Sequence, residues 1–154
     1  MLEEIHSLIE KIGKVPGAYL VSCFLMNDTW RIDYYSPTKH KIITYFIEGG
    51  KLEHTIDNIF QKEQKPLEEL QLKKIKVSYS HALKKVRADT DKSIIILQVI
   101  EGKIVWNITV LTPEFHVYNL KVDAVTGKTL SEEEENIMNF KKDGPSFTMS
   151  GVSA

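Results

Sequence analysis

Trp30, Ile32, Pro37 and His40 recur as Trp106, Ile108, Pro113 and His116, each pair 76 positions apart. Only 4 of the 18 positions from 30 to 47 are identical to their partners. Tryptophan, proline and histidine are scarce here, with 2, 5 and 5 copies, so their return in register constrains the fold more than any other feature. After a two-residue insertion in the second copy the correspondence resumes: Leu52, Ile59 and Phe60 stand against Leu130, Ile137 and Met138, 78 apart. Such self-similarity predicts a tandem duplication of a unit of about 60 residues. A unit of that size is marginal alone, so the two copies are expected to bury a shared face.

The bulk numbers fit this expectation. A length of 154 suits one medium domain or two small ones. At 42% hydrophobic and 27% charged residues, the composition is that of an ordinary soluble globular protein. The formal net charge of −1 leaves no electrostatic footprint for nucleic acid or an anionic membrane. No apolar run approaches the roughly 20 residues that a membrane helix needs, so no membrane insertion is expected. The start, Met1-Leu2-Glu3-Glu4, is acidic where a secretory signal is basic, which leads to the expectation of a cytoplasmic protein. The single cysteine, Cys23, has no partner for an internal disulfide. It sits in the apolar run Ala18 to Met26 and reads as a small buried hydrophobe.

Local patterns predict the elements. Leu2, Ile5, Leu8, Ile9 and Ile12 form one stripe at helical spacing over residues 2–14, and Gly13 with Pro16-Gly17 stops it. Three strands follow: 18–26, a turn at Asn27-Asp28, then 30–36 with Trp30, Ile32 and Tyr34 on one face, then 41–47 after Pro37-Thr38. The second copy repeats this order. Ser78 or Ser80 caps a helix to about Ala88. Strands follow at 93–100, at 104–111 with Trp106, Ile108 and Val110 on one face, and at 116–123. Between the copies, Lys74 to Val77 reads as a short strand. Ser131-Glu132-Glu133-Glu134 reads as a capping box that opens a helix to about Lys142. The expected fold class is α+β, built from two repeated units of one helix and a three-stranded antiparallel meander. The expected organisation is a first unit over 1–62, a linker over 63–77, a second unit over 78–142 and a mobile tail over 143–154.

The segment Trp106 to Leu130, and in it Val122-Asp123-Ala124-Val125-Thr126-Gly127-Lys128-Thr129-Leu130, resembles the strand-and-turn hallmark of PepSY-type domains. The physics of that turn reads independently: Asp123 ends the strand and accepts from the next amides, and Gly127 supplies a positive φ. The resemblance covers roughly residues 78 to 131 and reaches 1 to 53 only through the repeat. The first copy departs from it, with Ile47-Glu48-Gly49-Gly50-Lys51-Leu52 in place of that turn. The resemblance implies a cystatin-like fold, tandem copies, and a role in peptidase inhibition or envelope regulation with a peptidase-like protein as target.

Few residues point to chemistry. His40 and His116, if related by a pseudo-twofold, could face each other across an interface and bind a ligand; each also reads as the first residue of a strand after a Pro turn. Trp30 and Trp106 could line a shared groove for an apolar or peptide ligand, or plug the space between helix and sheet. No further Cys or His lies at ligand spacing, so no metal and no cofactor is expected. Phosphate-cradling Gly loops, a nucleophile elbow and a His-Glu-x-x-His pattern are missing, and the chain is not expected to be an enzyme. The leading expectation is a non-catalytic binding or regulatory module acting through protein or peptide contacts, with a homodimer as one arrangement. The alternative is a small-ligand carrier or sensor with a pocket between helix and sheet.

Overall fold

Short polar turns fold the chain back on itself wherever two consecutive residues accept a positive φ. Asn27 and Asp28 (φ 52° and 60°) join β1, Tyr19–Met26, to β2, Thr29–Ser36. Gly49 and Gly50 (58° and 77°) join β3, Lys41–Glu48, to β4, Lys51–Asn58. Glu101 and Gly102 (49° and 78°) join β5, Ser93–Ile100, to β6, Lys103–Leu111. Two left-handed residues in a row match the twist of antiparallel strands, which is why Asn, Asp and Gly occupy all of these sites except that of Glu101. β7, His116–Asp123, and β8, Thr129–Asn136, complete the strands. The helices are α1, Glu3–Ile12, and the single turn and a half of α2, Tyr79–Leu83, whose Ser78 cap accepts from the His81 amide at 3.1 Å. These are the elements of a computed structural model that describes residues 2–59, 66–86 and 92–136.

All eight strands form one antiparallel sheet in the order β4-β3-β2-β1-β5-β6-β7-β8. This overturns the expected pair of helix-plus-three-strand, cystatin-like units. Each half gains a fourth strand, and β1 pairs with β5 so that the halves share a single ladder. The missed strands lie at the two edges of the sheet. All of β4 is exposed, so its sequence carries no apolar alternation; it is held by pairing along its full length, from Lys41↔Asn58 to Glu48↔Lys51. β8 lies where the capping box predicts a helix. The free edge of β7 offers a ladder from His116↔Asn136 to Val122↔Thr129, and those non-local hydrogen bonds outweigh local helix propensity. The rest of the predicted 131–142 helix and the predicted 143–154 tail fall outside the described residues.

The expected strand at 74–77 is also absent. A 3-10 turn spans Leu72–Lys74, and the amides of Lys76 and Val77 both donate to the Ala124 carbonyl at 2.9 Å. The segment is pinned crosswise at single points rather than along a ladder.

Side chains directly opposite each other in antiparallel strands share a face. One row therefore crosses the whole sheet: His54, Tyr45, Ile32, Cys23, Leu97, Trp106, Val122 and Thr129. Its middle members are buried under Ile5 and Leu8 of α1 and Ala82 of α2. Each fully buried large aliphatic side chain contributes about 1.5–3 kcal/mol by leaving water. The neighbouring row, one residue along each strand, faces the other way: Thr55, Thr44, Asp33, Ser22, Gln98, Val105 and Asp123. This second face carries the polar groups.

Candidate functional site

The trough on the second face begins with a bulge. Between Leu20 and Ser22 the β1–β2 register slips, so that Val21 is the extra residue. A bulge re-aims the side chains beside it, and Ser22 comes to lie opposite Asp33. Ser22 Oγ donates to Asp33 Oδ2 at 2.7 Å, and Thr44 Oγ1 donates to Asp33 Oδ1 at 2.6 Å. Three adjacent strands thus hold one carboxylate by two hydroxyls. Burial pushes the Asp33 carboxyl above its usual range, and the Asp57 charge adds to that; the two hydroxyl bonds and Arg31 pull it back in part. Burial is first among these causes because the walls are apolar.

The trough has a volume of about 610 Å³. Phe24 and Met26 of β1, Ile42 of β3, and Ile94 and Ile96 of β5 form its apolar walls around Asp33. Asp57 of β4 lines it as well. So do Leu67 and Glu68 of the 66–71 segment, anchored by the Leu70 amide on Leu20 O at 2.8 Å and by the Tyr19 hydroxyl on the Leu67 carbonyl. Gln98 continues the polar row, accepting from Asn107 Nδ2 at 2.9 Å, while Asn119 Nδ2 reaches Asn107 Oδ1 at 2.8 Å. Arg31, one row away on the same face, lies over the Phe46 ring at 4.1 Å from its centroid.

The four residues singled out in the sequence lie elsewhere. Trp30 and Trp106 are 6% and 0% exposed in the core beneath the helices. The Trp30 indole N–H donates to Glu4 Oε2 at 2.9 Å and the Trp106 N–H to the Val77 carbonyl at 2.7 Å. Tyr79 makes an edge contact with each, at 6.0 and 5.9 Å. The structure therefore brings the tryptophans to one aromatic ring as helix-to-sheet filling. Trp30 also borders a shallower groove of about 420 Å³ beside α1. The histidines do not meet. β3 and β7 are five strand spacings apart, roughly 24 Å at about 4.8 Å each, and run in opposite directions, so their first residues lie at opposite ends of the sheet. His40 Nδ1 bonds the Tyr35 hydroxyl at 2.9 Å, and His116 Nδ1 meets Glu134 Oε1 at 2.8 Å.

Cys23 is fully buried, and burial pushes its thiol far above the usual range, which leaves no thiolate for chemistry. Among the described residues no three His, Cys, Asp or Glu side chains gather to hold a metal, and no helix is long and apolar enough to cross a membrane. The Asp123 turn has the geometry that its sequence suggests: Oδ1 accepts from the Val125 and Thr126 amides at 2.8 and 3.0 Å, and Gly127 has φ 81°.

Sequence reading passed over Asp33, Ser22 and Thr44. The signal was strand parity: Asp33 alternates with Trp30, Ile32 and Tyr34, so it belongs to the face they avoid. A polar residue there reads as solvent-facing until the structure shows Leu67, Glu68 and β5 around it.

No family model matches the chain, and no curated protein matches it. Among solved structures, the fold is similar to that of a protein from Clostridium difficile 630 described as "a putative lipoprotein". The TM-score is 0.61 at 17% identity, over 86% of this chain and 91% of that one. At that identity the likeness speaks of fold alone.

Proposed function

We propose that this protein is a non-catalytic binding module, a carrier or sensor for a small amphipathic ligand, and that its working surface is the trough on the second face of the sheet. The observation that carries this reading is a cavity of about 610 Å³, with apolar walls and one polar centre held by three strands. Ligand sites are typically concave, mostly apolar and some 300–1,000 Å³ in volume, with a few placed polar groups. The pocket lies on the opposite side from the one expected between helix and sheet, where the tryptophans fill the space. The edge strands fit poorly with docking a peptide by strand addition. β8 presents Glu132 to Glu135, and β4 presents Lys51, Glu53 and Asp57; charge on an edge discourages such pairing.

A thermal-shift screen of amphipathic metabolites tests the proposal, because a ligand that binds only the folded state raises Tm by mass action. A rise with one chemical class, lost when Ile96→Trp fills the trough in a protein that still folds, supports it. A flat response across the library would remove it. The likeness of residues 106–130 to PepSY-type domains belongs to the same proposal and adds peptidases as a panel to assay for inhibition. So does the cytoplasmic location. Recovery in the envelope fraction of fractionated cells would overturn that location and agree with the description of the structural neighbour as "a putative lipoprotein".

A further inference from the structure

Among the described residues, the charges that line the trough all have one sign. Asp33, Asp57 and Glu68 line it, and no described Lys, Arg or His does. Arg31 is on the same face but rests on Phe46, outside the lining. An ionised carboxylate has about four acceptor positions, and Ser22 and Thr44 occupy two at Asp33. The carboxylate therefore keeps acceptor capacity for a third donor arriving from the cavity. Such a donor gains most if it is charged, because a charge-assisted bond is roughly twice as strong as a neutral one, and more again where water is excluded by apolar walls. An anion would meet three carboxylates, with Arg31, held on Phe46, as the nearby positive charge that acts on Asp33 among the described residues.

We propose that the trough binds an organic cation, a primary ammonium group on an apolar body, with Asp33 as its counter-ion. The ammonium has three donors on a compact charge, which suits one carboxylate flanked by hydroxyls. Phe24, Met26, Ile42, Ile94 and Ile96 take the apolar body, and Asp57 with Glu68 attracts the cation to the mouth. The inference rests on the trough being the binding surface, and specifies the ligand for it.

Three probes that differ only in head group test this on the full chain at neutral pH: octylammonium, octanol and octanoate, titrated by calorimetry with chemical-shift mapping to the trough. The expected result is octylammonium binding at least tenfold tighter than the other two. Asp33→Asn, shown folded by its melt, should lower octylammonium affinity about tenfold and leave octanol nearly unchanged. Equal binding of octanol and octylammonium, or tighter binding of octanoate, with shifts in the trough would overturn the cation and leave the trough standing. A loss in Asp33→Asn that is the same for all three probes would overturn the counter-ion role. No binding of any probe would overturn both.

Discussion

At position 33 a carboxylate sits among apolar neighbours, and at position 123 another sits in a ring of amides. The two should titrate stability in opposite senses. The Asp33 carboxyl is raised above its ordinary value of about 3.9. Across the window between that value and the folded one, the native state binds more protons than the unfolded state. Stability is therefore lost as pH rises through the window. Wild type and Asp33→Asn should show similar urea midpoints in acid and diverge toward neutral pH, with the variant the more stable. Asp123 is held below the usual range, chiefly by the Thr126 amide. Its contribution is fully present above about 3.9 and lost as pH falls through the lowered value. Asp123→Asn should thus be weaker than wild type at neutral pH, by about 1 kcal/mol for a bond to a charged acceptor near the surface, and converge with it in acid. A neutral-pH midpoint for Asp123→Asn equal to wild type would contradict the cap.

Elements differ in what holds them. α1 is fixed by tertiary packing: Ile5 is fully buried and Leu8 nearly so. Ile5→Ala should cost about 2–5 kcal/mol in urea unfolding, the range for emptying a core site. β8 is fixed almost wholly by its ladder, since Thr129 to Asn136 is largely exposed. NMR secondary shifts over 129–136 should therefore carry the strand sign. Amides that point at β7 should be protected from exchange and those that point away should exchange freely, as befits an edge. Helical shifts across Glu132 to Glu135 would restore the helix that the capping box suggests.

For the whole molecule the decisive contact is the β1–β5 ladder, from Ser22↔Gln98 to Met26↔Ile94. It joins the halves through the sheet, and the core beneath the helices runs across that seam from Trp30 to Trp106. Unfolding should consequently be a single transition, with tryptophan fluorescence and far-ultraviolet circular dichroism coinciding in urea. Two separated transitions would mean that the halves fold as independent bodies. Phe24→Pro, in a strand paired on both sides, should abolish the fold, because proline removes a ladder donor where no edge can absorb the loss.

Sequence alone determined the parts that rest on local chemistry. The turn at Asn27-Asp28, the Ser78 cap, the Asp123 turn with Gly127, and the six strands with an apolar face follow from residues that act on their near neighbours. The 3.6-residue stripe of α1 was legible for the same reason. Tertiary structure decided what depends on distant partners. β4 and β8 are strands because β3 and β7 offered them edges, although their own residues are exposed and, in β8, helix-forming. The tryptophans are core because Tyr79 and the helices close over them. Asp33, Ser22 and Thr44 meet because register, set by a one-residue bulge in β1, aligned three polar side chains from strands whose sequences show only alternation. Period-two patterning says which face a residue takes; only the pairing of strands says what stands beside it.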